Sequence, residues 1–269
     1  MRRVTTHTHT ELCGHAEGAV AELAAAARAA GISVLAITEH YPLSAAYDPE
    51  CHVSMPASRM EEYVAAVRLE QEREGETEVL CGCELDWLGA LEDRALCADD
   101  LACFDVVLGS VHYLDGWAFD DPAEQGSWRE RGVDGIWRRY FEEWCACVSS
   151  DLPIHVMSHP DLVKKFGFYP SFDPLPLYRQ AAEAARESGR MIEVNTAGAF
   201  YPCKEMYPAP ELLSLFCQAG VPCTVGTDAH SPAHVARGIE DAYRLMYEAG
   251  YRELTVPARG GDRRTIPIV

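Results

Sequence analysis

The chain has 269 residues, 48% apolar and 24% charged, a balance that excludes a disordered polymer and fits either one barrel-type domain or two ordinary ones. With 42 acidic against 23 basic side chains the formal charge is -19, which disfavours a long nucleic acid or an anionic membrane as partner and points to a small ligand. Eleven cysteines without a framework spacing, a polar start after Met1-Arg2-Arg3-Val4 and no apolar run of membrane-spanning length lead us to expect a cytoplasmic protein with reduced thiols.

Short apolar or β-branched runs alternate with amphipathic stretches along the whole chain. They are Arg3 to Thr6, Val34 to Thr38, Val79 to Leu85, Asp105 to Ser110, Ile154 to Ser158, Met191 to Asn195 and Pro222 to Gly226. Seven such runs separated by helical patterns predict repeated βα units around a parallel sheet. Met60, Tyr63, Val64 and Val67, and then Ile136, Trp137, Tyr140, Phe141 and Trp144, recur with the period of a helix that buries one face. Gly31, Gly189 and Gly220 stand just before strands, where a left-handed residue closes the preceding helix. Tyr113 to Gly132 and Phe168 to Pro176 read as longer loops, and with no linker or repeat the chain reads as a single domain, 1–269.

Six of the seven strands end on a residue that can ligate metal. His7 and His9 close the first strand, and residues two apart on a strand share a face and can converge on one ion. His15 follows a Cys13-Gly14 turn, His40 closes Thr38-Glu39-His40, and Glu84 closes Gly82-Cys83-Glu84. His112 follows the fourth strand, His159 the fifth, and Asp228 and His230 the seventh. In a parallel barrel the C-terminal ends of the strands share one rim, so these nine residues are predicted to meet there. Histidines of ordinary structural use would scatter over helices and loops, as His52 and His234 do.

Nine ligands exceed one tetrahedral site and imply two or three divalent ions, with imidazole and carboxylate suiting zinc, iron or manganese. Cys13 reads as a packed thiol beside the site, and Cys81-x-Cys83 and Cys145-x-Cys147 as buried small hydrophobes, their spacing being too tight for common zinc motifs.

The series His-x-His, His, Thr-Glu-His, Glu, Ser-x-His, His, Asp-x-His resembles the polymerase and histidinol phosphatase superfamily over nearly the whole chain. That resemblance implies an α/β fold, a distorted (β/α)7 barrel of TIM-barrel-like form, with a trinuclear metal centre. It implies a first ion on His7, His9, Glu84 and Asp228, a second on Glu84, His112 and His159 with Glu84 as the bridge, and a third on His15, His40 and His230. Glu39-His40-Tyr41-Pro42-Leu43, His159-Pro160-Asp161-Leu162-Val163-Lys164-Lys165-Phe166, Glu193-Val194-Asn195-Thr196-Ala197-Gly198 and Tyr207-Pro208 are most similar to the histidinol phosphate phosphatases. Those phosphatases commonly carry an arginine shortly after Asn-Thr-Ala-Gly to grip phosphate. Here Ala199, Phe200 and Tyr201 occupy that stretch.

The expected chemistry is hydrolysis of a small phosphorylated substrate, L-histidinol phosphate first, by a hydroxide on ions held by Glu84, Asp228 and His112. The rivals are another small phosphorylated metabolite or nucleotide, or a non-catalytic metal-binding module. For substrate contact the candidates are Lys164, Lys165 and Asn195, against a solvated basic pair and a turn cap. Asp86 and Asp161 can orient imidazoles, although Asp161 can equally start a helix. His155 reads as a hydrogen-bonded core residue, and Glu39 as pointing away from the ligand face of its strand. Trp87, Tyr113, Trp117 and Tyr201 can line a pocket or pack in the core. Arg259, Arg263 and Arg264 in the tail either reach the rim or face water.

Overall fold

All seven apolar runs pair in parallel and in chain order. A computed structural model describes residues 2–89, 101–258 and 262–268. Strands β1 (Arg3–Thr5), β2 (Ile32–His40), β3 (Glu78–Asp86), β4 (Val106–Ser110), β5 (Val156–Met157), β6 (Met191–Asn195) and β7 (Cys223–Gly226) form one sheet in that order. Its two edges meet: Thr6 N–H donates to Val225 O, Asp228 N–H to His7 O and His9 N–H to Ala229 O, each at 2.9 Å. The sheet is therefore the expected seven-stranded barrel, with an irregular seam beside His7 and His9.

Parallel neighbours need crossovers, to which α1 (Val20–Ala29), α2 (Met60–Gln71), α3 (Val133–Val148), α4 (Leu175–Ser188) and α5 (Pro210–Gln218) belong, while α6 (Ile239–Ala249) follows the last strand of the sheet. The periodicity identified the buried faces: Tyr63 and Val67 of α2, and Ile136, Trp137, Tyr140, Phe141 and Trp144 of α3, all lie in the core. Burying each such side chain contributes about 1.5–3 kcal/mol, so the aromatic face of α3 alone commits that helix to the barrel. Gly31, Gly189 and Gly220 have φ of +69°, +67° and +74°, the left-handed ends predicted for them.

Two expected segments differ in detail. β5 covers two residues instead of five, because Ile154 N–H turns back to Leu152 O at 2.7 Å. Tyr113 to Gly132 is no bare loop: Tyr113–Leu114 pairs with Trp117–Ala118, and a 3-10 turn (Pro122–Ser127) and a short helix (Trp128–Arg131) follow. Trp128 packs edge to face on both Trp117 and Phe119, which fixes this segment as a wall above the rim.

At the opposite end an antiparallel hairpin, β8 (Glu253–Pro257) with β9 (Arg263–Pro267), closes the chain. Arg263 donates to Gly189 O at 2.8 Å and Arg264 pairs with Glu78, at the start of β3. These arginines therefore serve the N-terminal end of the barrel and do not reach the rim; Arg259 lies outside the described residues. No helix among the described residues is long and apolar enough to cross a membrane.

Candidate metal centre

The strand ends bring all nine predicted ligands into one contiguous cluster, each with a donor atom within 3.3 Å of a donor on another. His7 Nε2 lies 2.9 Å from His9 Nε2, and Glu84 Oε2 lies 3.2 Å from His7 Nε2 and 3.3 Å from His9 Nε2. Glu84 Oε1 faces the other way, 3.0 Å from His159 Nε2, which stands 3.3 Å from His112 Nε2. His40 Nδ1 is 3.2 Å from Glu84 Oε2, Asp228 Oδ1 is 3.3 Å from His9 Nε2, and His230 Nε2 is 3.1 Å from His15 Nε2. Glu84 is thus a divided carboxylate between a His7–His9–His40 group and a His112–His159 group. Tight local backbone aims two of these side chains: His159 and Asp228 have positive φ, +22° and +51°, rare for residues with a side chain and typical of functional positions.

A ring of acids holds the imidazoles from behind. The Nδ1–H of His7 donates to Glu193 (3.0 Å), that of His112 to Asp86 (2.6 Å), that of His15 to Cys13 O (3.2 Å) and that of His230 to Asp228 O (3.0 Å). In each of these rings Nε2 is left as a lone pair turned inward. Glu193 also accepts from His159 N–H (3.0 Å) and Asn195 Nδ2 (3.1 Å), and Ser110 Oγ donates to Glu84 at 2.5 Å. Gly226 makes room for this arrangement, since a Cβ there would collide with the Glu193 carboxylate and with Cβ of His7.

The donors fit a cationic group. At His15 and His230 two lone pairs face each other at 3.1 Å, and His40 Nδ1 is buried without a hydrogen-bond partner among the described residues. Such an arrangement is unfavourable unless a cation lies between the donors. The field is consistent with that reading. Burial pushes the His112 pKa down, but Asp86, Asp120 and Glu84 outweigh it and hold it up at about 10. Burial drives the His230 pKa down to about 4, with His9 acting in the same direction. Burial raises the pKa of Glu84 and Asp228, yet surrounding imidazoles keep both carboxylates well below their ordinary values. Oxygen and nitrogen donors without thiolate suit a borderline divalent ion; Cys13 Sγ, 4.0 Å from His15 Nε2, bonds Thr10 O instead and stays beside the site.

Several expectations are corrected. Lys164 is buried and held by Asp161 (3.0 Å), Glu205 (2.6 Å) and Met206 O (2.8 Å), so it is turned from the rim. Asp161 pairs with that lysine and accepts from Ala209 N–H (2.8 Å) and orients no imidazole. Asn195 uses its amide on Glu193 and, at 3.4 Å, on Asp228, and its carbonyl oxygen on Ala197 N–H; it positions a carboxylate of the cluster and caps a turn. Glu39 does point away from the ligand face of β2, and that direction leads to the first strand: it accepts from Thr10 N–H (2.9 Å) and lies 3.5 Å from His9 Nδ1. Glu193 is the acid of the cluster to which the sequence reading gave no role; an acid at an inward position of an apolar strand is the signal that marks it. His155 accepts from Val107 N–H at 2.9 Å, the structural role expected of it.

Above the cluster lies a cavity of about 760 Å³. Tyr113, Trp117 and Tyr201 line it, whereas Trp87 is buried and donates to Glu143. One wall is acidic, with Asp48, Asp86, Asp120, Asp121 and Glu124. Lys165 is its cation, with Nζ 2.9 Å from Asp120 Oδ2 and 4.9 Å from the centre of the Tyr201 ring.

A parallel seven-stranded barrel whose C-terminal rim gathers imidazoles and carboxylates defines the class of barrel proteins built around divalent metal. Residues 5–197 match the PHP domain, and the chain belongs to that family. It is 35% identical over 252 residues to a probable histidinol-phosphatase of Deinococcus radiodurans, covering 93% of this chain and 95% of that one. Two solved structures share the fold at a TM-score of 0.80. One is a putative histidinol phosphatase from Listeria monocytogenes, at 24% identity over 88% of this chain and 98% of the other. The other is a histidinol phosphate phosphatase from Lactococcus lactis complexed with zinc, L-histidinol and phosphate, at 21% identity over 98% and 99%.

Proposed function

We propose that this chain, acting as one domain over its whole length, is a metal-dependent phosphomonoesterase whose substrate is L-histidinol phosphate. The observation that carries the reading is the divided Glu84 carboxylate, one oxygen toward His7, His9 and His40 and the other toward His112 and His159, beneath a cavity with an acidic wall. Kinship to histidinol-phosphatases supports the choice of alcohol.

Three divalent ions, zinc, iron or manganese, account for the donors: His7, His9, Glu84 and Asp228 for the first, Glu84, His112 and His159 for the second, and His15, His40 and His230 for the third. Ions held there would supply Lewis-acid chemistry, making water acidic enough to act as hydroxide near neutral pH and offsetting the charge of phosphate oxygens. The protein's own part is orientation. Glu193, Asp86 and the two backbone carbonyls each take the Nδ1–H of a ring and so turn its Nε2 inward, and Asn195 steadies Asp228. Lys165 gives the phosphoryl group a positive neighbour on the wall. Asp48, Asp120, Asp121 and Glu124 complement the ammonium of the leaving alcohol, and Tyr113 and Trp117 offer faces to its imidazole.

The test is phosphate release from L-histidinol phosphate beside a panel of phosphorylated metabolites and nucleotides, with manganese, iron and zinc supplied in turn. Preferred turnover of L-histidinol phosphate is the expected result. Preference for another phosphomonoester refutes the substrate, and inert protein with less than one bound ion per chain refutes the metal centre.

A further inference from the structure

Among the described residues Arg237 is a guanidinium without an acid. Although carboxylates outnumber cationic side chains in this chain, Arg237 forms no ion pair among the described residues, and its Nε is buried without a hydrogen-bond partner. Such a group is costly to leave unpaired. The fold nevertheless pins it. Arg237 O accepts from Thr196 Oγ1 at 2.7 Å, and the following Gly238, with φ of +82°, sits so close that a Cβ would stand 3.0 Å from Thr196. This fixes residue 237 against the end of β6, one residue from Asn195, whose amide reaches Asp228.

The side chain lies over an aromatic ring: its guanidinium carbon is 3.8 Å from the centre of Phe200. Phe200 belongs to the Ala199-Phe200-Tyr201 stretch that follows Asn195-Thr196-Ala197-Gly198, and the next residue, Tyr201, lines the cavity beside Lys165 and Asp228. Burial lowers the Arg237 pKa, and the groups that act against this are Tyr201 and Asp228. Lys165 stacks on the Tyr201 ring, which also feels Arg237. Two cations thus lie over consecutive aromatic rings, Arg237 over Phe200 and Lys165 over Tyr201, and the second of these rings lines the cavity.

We infer that Arg237, delivered by the turn before α6 and held on the Phe200 ring, grips the phosphoryl group of the substrate together with Lys165 and the Tyr201 hydroxyl. A guanidinium presents two parallel N–H donors that match two phosphate oxygens. Its place on Phe200 lets a chain with no arginine in the 199–201 stretch hold one against that stretch from a different segment. The inference rests on the phosphatase reading of the rim, but its test does not need the identity of the alcohol.

Inorganic phosphate is titrated calorimetrically into metal-loaded wild type, Arg237→Gln and Arg237→Lys, with L-histidinol titrated in parallel and bound metal measured for each protein. A charge-assisted bond to phosphate corresponds to a loss of about tenfold or more in affinity when its donor is removed. The expected result is that loss for phosphate in Arg237→Gln, a smaller loss in Arg237→Lys, and unchanged L-histidinol affinity and metal content. Phosphate affinity within twofold of wild type in Arg237→Gln overturns the inference, as does a variant that loses metal or binds both ligands equally poorly. If Arg237→Gln fails to fold, unchanged phosphate affinity in Arg237→Lys overturns it. Should wild type bind phosphate but leave L-histidinol phosphate intact, the substrate reading fails while this assignment stands.

Discussion

His155 and Arg190, at the N-terminal end of the barrel, hydrogen-bond chiefly to backbone. His155 Nδ1 accepts from Val107 N–H, and Arg190 donates to the carbonyls of Cys147 (2.7 Å), Val148 (3.0 Å), Ser150 (2.7 Å) and Leu152 (2.5 Å), closing the loop that follows α3. At the other end, the same two residue types are held without being satisfied. His15 and His230 turn lone pairs on one another, and among the described residues His40 Nδ1 has no hydrogen-bond partner and Arg237, over Phe200, no ion pair. A satisfied end stabilises and an unsatisfied end binds, because only groups left unpaired in the fold can gain from a ligand.

Removing Glu84's charge tests this contrast hardest. In Glu84→Gln one oxygen can no longer serve as an anionic donor to both imidazole groups, so bound metal should fall sharply. Phosphate release should drop on the order of a thousandfold. The fold should survive, since glutamine keeps the shape of the side chain and the backbone ladder of β3 does not depend on its charge. Metal analysis and kinetics on the same preparation check this; near-normal metal content would show that Glu84 is not the shared ligand.

The rim was legible because strands end on it: alternation placed His7 with His9, and the common end of six strands placed His40, Glu84, His112, His159, Asp228 and His230 in one pocket. Direction within turns was not legible. Lys164 and Lys165 are adjacent, yet the 3-10 turn at Leu162–Lys164 sends the first inward to Asp161 and leaves the second on the cavity wall. Glu39 was correctly read as facing away from the ligand side of its own strand. What it faces, His9, is a property of strand order that no single run contains. Arg237 lies after the last motif residue, where sequence offers only a loop before a helix.

Arg190→Ala probes the satisfied end. Four carbonyls lose one donor group, at a cost of about 2–3 kcal/mol in folding stability. Urea unfolding should show that loss, while KM and metal content at 25 °C stay at wild-type values. A change in KM would mean that the two ends are coupled and that the division drawn above is too sharp.

The smallest effect belongs to His155, and its sign is fixed by the same hydrogen bond. Burial lowers its pKa below the ordinary 6.5, with Arg263 and Arg190 acting in the same direction, because the neutral ring alone can accept from Val107 N–H. The unfolded chain therefore binds a proton more readily than the folded one between the depressed value and 6.5. Its contribution to stability is fully present above about pH 6.5 and is lost as pH falls through the folded pKa. His155→Gln, whose side-chain carbonyl can accept the same bond at any pH, should flatten the fall in melting temperature between pH 7 and pH 5 relative to wild type. Since both proteins keep every rim histidine, the difference between their curves isolates the floor of the barrel. Parallel curves would mean that the Val107 bond does not depend on a neutral ring.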